Sequence, residues 1–397
     1  MTEELVAPHR PTVMILVGSY LPGFRGGGPV RGLANLIEAL GSELQFMVLT
    51  ADRDLASDQP YPGIRPRAFQ SLGKGRVRYL APGEGTRTLR LILRSTSHDV
   101  LYLTSFFSPR FTILPLALRR LGAIPRRLLV VSPRGEFSPG ALGLKGIKKR
   151  MWLAVSRLLG LYRDATWHAT TDDEARLIRS VIGGSARVVV AHELVSVVPV
   201  KQTRVESAPR VKQPGSARIV FLSRITRKKN LGFAVSLVSS VERATVTFDV
   251  YGPIEDEAYW QECQQRMMGA GNENLLVRYR GELPHADVPS VLSQYDLFLF
   301  PTLGENFGYA VAEALAAGCP VAISDRTPWQ VEEAGAGWAI PLDDRRRWEA
   351  VIQEVVDSDE DALTPRRLAA RRLALASASG EEDVEHYRHL FRAHAGG

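Results

Sequence analysis

Short apolar, β-branched runs recur along this chain, each followed by a turn and then by apolar residues at helical spacing. Thr12–Gly18 (TVMILVG) is the first run, and Val30, Leu33, Ala34, Ile37 and Leu40 then repeat with the period of a helix. Phe46–Thr50, Val77–Leu80, Val100–Leu103 and Leu128–Val131 continue the series. A second series comprises Arg218–Leu222, Thr245–Tyr251, Leu275–Tyr279, Leu297–Phe300 and Val321–Ser324, with Leu231–Val241 as a helix. A run apolar at every position suits a strand buried on both faces, and alternation with helices makes the sheet parallel. The expected fold is α/β: two parallel-sheet domains facing each other across a cleft, with ligands at the carboxyl ends of the strands.

The two series are separated by Val200–Ala217 (VKQTRVESAPRVKQPGSA), which is polar and carries no period. The expected organisation is a domain over 1–200, a linker over 201–217, a second domain over 218–380 and a C-terminal helix over 381–397. A length of 397 residues accommodates two domains. Charge divides along the same line. Residues 1–200 carry 27 basic and 15 acidic side chains, a net of +12, whereas residues 201–397 carry 23 and 28, a net of −5. A basic half attracts polyanions: nucleic acid, anionic lipid or phosphorylated substrates. Cys263 and Cys319 are too few for a disulfide or zinc framework and read as buried thiols. No apolar run reaches the roughly 18 residues of a membrane span, and the start does not read as a secretory signal, so a cytoplasmic location is expected.

Pro301–Pro320 (PTLGENFGYAVAEALAAGCP) directly follows the strand Leu297–Phe300. Gly304–Gly308 reads as a turn and Tyr309–Ala317 as a helix. Glu305 falls at the helix start and Glu313 farther in. Two carboxylates so placed can accept hydrogen bonds from sugar hydroxyls, and backbone N–H groups at a helix start favour anionic oxygens. The alternative is that Glu305 caps the helix and Glu313 is solvated. In Phe221–Leu231 (FLSRITRKKNL), Arg224 and Lys229 lie on the loop after a strand, where cations can clamp a diphosphate. The alternative there is a solvated basic turn. Thr171–Glu174 (TDDE) fits a capping box at a helix start.

These motifs together resemble the family-four glycosyltransferases of the GT-B fold, with two Rossmann-like domains. The likeness is most specific over 218–345. It implies that Arg224 and Lys229 bind the donor diphosphate, that Glu305 contacts the transferred sugar and that Glu313 contacts the ribose. Asn306, Phe307 and Gly308 would lie beside the donor phosphates and sugar. Tyr279–Pro284 (YRGELP), with Gly281, resembles the segment near the nucleobase. Gly26, Gly27 and Gly28, after the first strand, resemble the family's Gly-rich loop for phosphate or acceptor. This loop is no dinucleotide fingerprint, since Arg31 stands where the third glycine would be. Ser132–Gly140 (SPRGEFSPG) departs from the pattern: Arg134 stands where many members have His. Arg134 is then a candidate for an acceptor hydroxyl or phosphate, or for an ion pair with Glu136. His192 and His168 read as structural.

The resemblance implies a retaining hexosyltransferase that moves a sugar from a UDP- or GDP-sugar to a glycan or lipid-linked acceptor in surface polysaccharide biosynthesis. No metal or other cofactor is expected, since two cations suffice for the leaving diphosphate. The rival readings are a nucleotide-sugar epimerase or hydrolase on the same fold, and a non-catalytic basic lipid- or RNA-binding protein. Nucleic acid is not an expected partner, because no basic tract is interleaved with aromatics. Leu144–Arg163 (LKGIKKRMWLAVSRLLGLYR) has Met151, Trp152, Val155, Leu158, Leu159 and Tyr162 at helical spacing behind Lys145, Lys148, Lys149 and Arg150. It reads equally as a core-packed helix and as a contact with an anionic membrane on the inner face of the cell.

Overall fold

The computed structural model describes residues 10–55, 57–65, 67–138, 146–194, 211–241, 244–269, 274–377 and 380–392. The chain divides into two compact units, Met1–Leu194 with Ser379–Gly397, and Val195–Ala378.

The first unit is built on a sheet of β1 (Thr12–Leu16), β2 (Gln45–Ala51), β3 (Gln70–Leu72), β4 (Gly75–Leu80), β5 (Val100–Leu103), β6 (Leu128–Val131), β7 (Ala165–Ala169) and β8 (Arg187–Val190). Their spatial order is β3-β4-β2-β1-β5-β6-β7-β8. All pairings are parallel except β3 with β4. β1 explains why its sequence is apolar throughout: Met14 and Leu16 enter one core, Val13 and Ile15 the other. A strand covered on both faces has no polar alternation. Helices α2 (Thr86–Ser95), α3 (Leu114–Arg120) and α5 (Asp172–Ile182) cover the first of these faces, with α4 (Gly146–Leu158) preceding β7. α1 (Gly28–Leu40) covers the other face, through Val30, Leu33, Leu36, Ile37 and Leu40.

The second unit's strands are β9 (Ser216–Leu222), β10 (Thr245–Tyr251), β11 (Leu275–Tyr279), β12 (Leu297–Phe300), β13 (Val321–Ser324) and β14 (Gly337–Ile340). Their order is β11-β10-β9-β12-β13-β14, all parallel. This is the doubly wound 3-2-1-4-5-6 arrangement, whose winding reverses between β9 and β12. The helices are α6 (Leu231–Val238), α7 (Glu257–Gly269), α8 (Val288–Leu292), α9 (Tyr309–Ala317), α10 (Arg345–Asp357) and α11 (Glu360–Ala376). At the end of β10 the backbone of Gly252 passes so close to β9 that a Cβ would lie 1.9 Å from the Ser223 carbonyl oxygen, and its φ of 134° independently requires glycine.

The stretch read as a linker is shorter at its far end. β9 begins at Ser216, and ahead of it Lys212 is buried, its Nζ donating to the carbonyls of Gln213, Val356 and Ser358. Residues 201–210 of that stretch lie outside the described residues. The final helix, α12 (Glu381–Arg392), inserts Tyr387, Leu390 and Phe391 into the core of the first unit. Phe391 meets Tyr102 at 5.5 Å and Phe46 at 6.3 Å, both edge to face, while Arg388 pairs with Glu43.

A buried aromatic lost to a cavity costs about 3–5 kcal/mol. Phe391→Ala is therefore expected to lower the first unit's unfolding free energy by that much and leave the second unit's transition in place, followed by urea denaturation with domain-specific fluorescence.

Candidate active site

The second unit assembles its site where the winding reverses. The loop after β9 and the loop after β12 leave adjacent strands at their carboxyl ends, and three contacts join them. Leu303 N donates to the Lys228 carbonyl at 2.8 Å, Asn230 Nδ2 donates to the Pro301 carbonyl at 3.0 Å, and Lys229 Nζ donates to Glu305 Oε1 at 2.5 Å. Asn230 is left-handed, with φ 60°, and ends the short turn Arg227–Lys229. Its amide holds the neighbouring loop instead of capping α6.

Lys229 and Glu305 are each about nine-tenths buried, so neither is a solvated charge. Burial pushes the Lys229 ammonium below its ordinary range, and the Glu305 carboxylate opposes that shift. Thr302 Oγ1 adds a second donor to Glu305 Oε1 at 3.0 Å, and the Glu305 amide donates to the Arg326 carbonyl. The helix-cap reading of Glu305 is thereby excluded. The N-cap of α9 is Gly308, with φ 84° and no side-chain cap bond, and Glu305, three residues ahead of it, is held by Thr302 instead. The first amides of α9 consequently have no side-chain acceptor at Gly308, which leaves an anion-favouring helix start. Phe307, between Asn306 and Gly308, is held by Trp329, whose Nε1 donates to its carbonyl at 2.6 Å and whose ring meets its ring at 5.2 Å.

Arg224 follows β9 and is partly exposed, paired with Glu255 at 2.6 Å. Glu313 lies one turn into α9, half-buried, 3.3 Å from His285 Nδ1. Gly281, left-handed with φ 81°, fixes the loop after β11 through its carbonyl, which accepts from Gly252 N at 2.9 Å. Glu255, His285, Thr302 and Trp329 were not singled out from the sequence. Among them only Thr302, inside the motif after β12, carried a local signal.

In the first unit, the Gly-rich loop after β1 is not a free turn. Asp54 binds it from below, accepting from the amides of Phe24 and Arg25 and from Ser19 Oγ. Gly27 has φ 63° and precedes α1, whose N-terminus lacks a side-chain cap, and Gly28 opens the helix; Gly26 packs against Val30. Arg134 differs from the sequence expectation. It does not pair with Glu136, and its guanidinium is sealed inside the unit rather than offered to an acceptor. It forms an ion pair with Glu193, both side chains less than a tenth exposed. Glu136 turns the other way and accepts from Ser105 Oγ and the amides of Phe106 and Phe107. Burial pushes the Glu136 carboxyl up. The capping box at Thr171 is half formed. Thr171 Oγ1 accepts from Glu174 N, but the Glu174 carboxylate reaches Thr170 and the Gly135 amide. His168 is fully buried between Tyr102 OH, 2.7 Å from its Nδ1, and the Ala191 carbonyl, 2.9 Å from its Nε2. His192 lies 3.6 Å from Asp383 on α12.

Residues 216–358 match the family model of the glycosyl transferases group 1. They form a group 1 glycosyl transferase domain. That domain contains Arg224, Lys229, Glu305 and Glu313. A 2-deoxystreptamine glucosyltransferase of Streptomyces kanamyceticus is 29% identical over 52% of this chain and 54% of its own length. A putative colanic acid biosynthesis glycosyltransferase of Escherichia coli is 28% identical over 43% and 44%. The chain thus spans about half the length of these relatives. Anabaena HepE, solved with UDP and glucose, superposes with a TM-score of 0.68 at 16% identity, over 96% of this chain and 100% of that one. The fold of both units is that of the GT-B glycosyltransferases.

Two outcomes test this chemistry. Removing one partner of a buried pair strands the other, at a cost of about 3–5 kcal/mol. Lys229→Met should therefore destabilise the glycosyl transferase domain by that amount, and Lys229→Met with Glu305→Gln should recover part of it, in a double-mutant cycle by chemical denaturation. His168 is held neutral by burial, its pKa lowered to about 3 from 6.5. Between those pH values the unfolded chain takes up a proton that the folded chain refuses, so stability falls as pH drops, by about 1.4 kcal/mol per unit. His168→Gln should remove one proton's worth of that slope.

Proposed function

We propose that the chain is a retaining glycosyltransferase that moves a hexose from a nucleoside-diphosphate sugar to a glycan or lipid-linked acceptor in surface polysaccharide assembly, at the cytoplasmic side of the cell. The observation that carries this reading is the Lys229–Glu305 pair, seated at the winding reversal of a group 1 domain with Arg224 beside it. The colanic acid relative favours a polysaccharide product, and the UDP held by Anabaena HepE favours a UDP-sugar over a GDP-sugar.

In this reading the bond from the anomeric carbon to the diphosphate oxygen breaks and the nucleoside diphosphate departs. The acceptor oxygen bonds to the anomeric carbon on the same face, and its proton passes to a phosphate oxygen. Arg224 and Lys229 neutralise the charge that grows on the diphosphate, and the uncapped start of α9 adds its amides, so no metal is required for that task. Glu305, fixed by Lys229 and Thr302, orients the transferred sugar. Glu313 accepts from the ribose hydroxyls, Asn306 to Gly308 line the phosphates and sugar, and the backbone at Gly281 meets the base. Gly26 to Gly28 approach the acceptor or a phosphate.

Arg224→Ala should lower transfer by about 10²-fold, the loss typical of removing one donor to a developing anion, with an unchanged melting temperature. The nucleotide itself is read by thermal shift. At 100 times its Kd a bound nucleoside diphosphate adds about 2.7 kcal/mol. UDP should give that shift, Glu313→Ala should shrink it, and GDP, ADP and dTDP should not reproduce it. Free sugar released without acceptor would instead mark a hydrolase.

A further inference from the structure

The apolar residues of the 144–163 segment do not form one core stripe. Trp152, Leu153, Leu161 and Tyr162 pack into the first unit, whereas Met151, Val155 and Leu158 recur at i, i+4 and i+7 on the outward side of α4. Leu158 is 86% exposed and Met151 63%. Leu121, at the end of α3, is 80% exposed and lies at the same end of α4, since Arg120 Nε donates to the Leu159 carbonyl. Single exposed leucines are ordinary, but several together on adjoining helix ends are not. Ion pairing does not account for them: Lys148 and Arg150 are exposed beside the stripe, while Lys149 is turned inward over the Phe107 ring at 5.0 Å.

The surrounding charge selects the occupant. From Arg119 to Asp164 the sequence holds eleven Lys and Arg and two acids; Glu136 is taken by Ser105, Phe106 and Phe107 and Asp164 by Arg119, while Arg134 is buried against Glu193. A protruding apolar ridge beside an excess of exposed cations fits a surface that is negative outside and apolar beneath. A second copy of this face would bring like charges together.

We propose that the outward face of α4, with Leu121 of α3, docks on an anionic bilayer, Leu121, Met151, Val155 and Leu158 entering the acyl boundary while Lys148 and Arg150 meet the head groups. This surface lies in the first unit and does not rest on the transfer reading. Binding is measured with no sugar donor present, so its failure leaves that reading intact.

The test is sedimentation of the full chain with phosphatidylcholine vesicles, with and without about 30% phosphatidylglycerol, at low and high salt. The wild type should bind the anionic vesicles at low salt and release at high salt. Lys148→Ala with Arg150→Ala should weaken binding about 25-fold, at ~5-fold per cation. Leu121→Asp with Leu158→Asp should weaken it at least ~10-fold, with melting temperatures unchanged because all four side chains are exposed. Absence of wild-type binding to anionic vesicles, or equal binding by both double variants, would overturn the proposal. So would a concentration-dependent dimer that Leu158→Asp dissolves while vesicles are ignored.

Discussion

A buried ammonium and a buried carboxylate meet where two adjacent parallel strands end, and the geometry of the second unit's site follows from that meeting. Lys229 and Glu305 are 76 positions apart in sequence, but β9 and β12 are neighbours in the sheet. Neither charge is tolerable alone in that position, because desolvation of an unpaired ion costs several kcal/mol. Pairing therefore locks the two loops in register, and the backbone contacts at Lys228, Pro301 and Leu303 complete the seam. The carboxylate that the pair fixes lies at the reversal of winding.

The first unit uses the same device for a different end. The loop after β6 is held by three carboxylates that come from separate places: Glu136 from the loop itself, Glu174 from α5 and Glu193 from beyond β8. Arg134 accepts a left-handed backbone, φ 48°, to reach Glu193. Strain of that kind persists only where surrounding contacts over-determine it, and here the contacts on both neighbours supply that: Gly135 N on Glu174 and the Glu136 carboxylate on Phe106 and Phe107. The node also faces α12, since Tyr387 packs against His168 with ring centres 5.2 Å apart.

Legibility followed burial only in part. The strands Val100–Leu103, Leu128–Val131, Thr245–Tyr251, Leu297–Phe300 and Val321–Ser324 match the sequence reading to the residue, as does Tyr309–Ala317, and most of their residues are buried; Leu275–Tyr279 matches too, although it is an edge strand and only partly covered. β3, with its half-exposed Gln70–Leu72, and β8, with Arg187–Val190 only partly covered, carry weaker patterns and are absent from the sequence reading; so is β14, which is mostly buried but has four residues and opens on Gly337. At the site, the motif after β12 and the cations after β9 were visible as clusters. Their partners were not: Glu255 is 31 positions from Arg224, and Glu193 is 59 from Arg134. Pairing at that range depends on which strands adjoin, and a single sequence does not rank Glu136 against Glu193. The stripe of α4 misled for a related reason. Helical spacing reports that apolar residues share a broad side of a helix, but Trp152 is covered and Val155, the next turn on, is exposed, and only the structure shows where that boundary falls.

The two buried cation–carboxylate pairs differ in what surrounds them. Arg134 and Glu193 sit among Tyr102, His168 and Tyr387, with burial holding the imidazole neutral and pushing both phenols up. These three buried groups are thereby held in their neutral forms near neutral pH. Lys229 and Glu305 instead lie next to a partly exposed Arg224, a half-buried Glu313 and a helix start without a side-chain cap. Such surroundings bring partly exposed charge up to the edge of a buried pair. The Arg134–Glu193 pair is sealed inside the first unit, whereas the Lys229–Glu305 pair, itself buried, adjoins side chains that reach solvent.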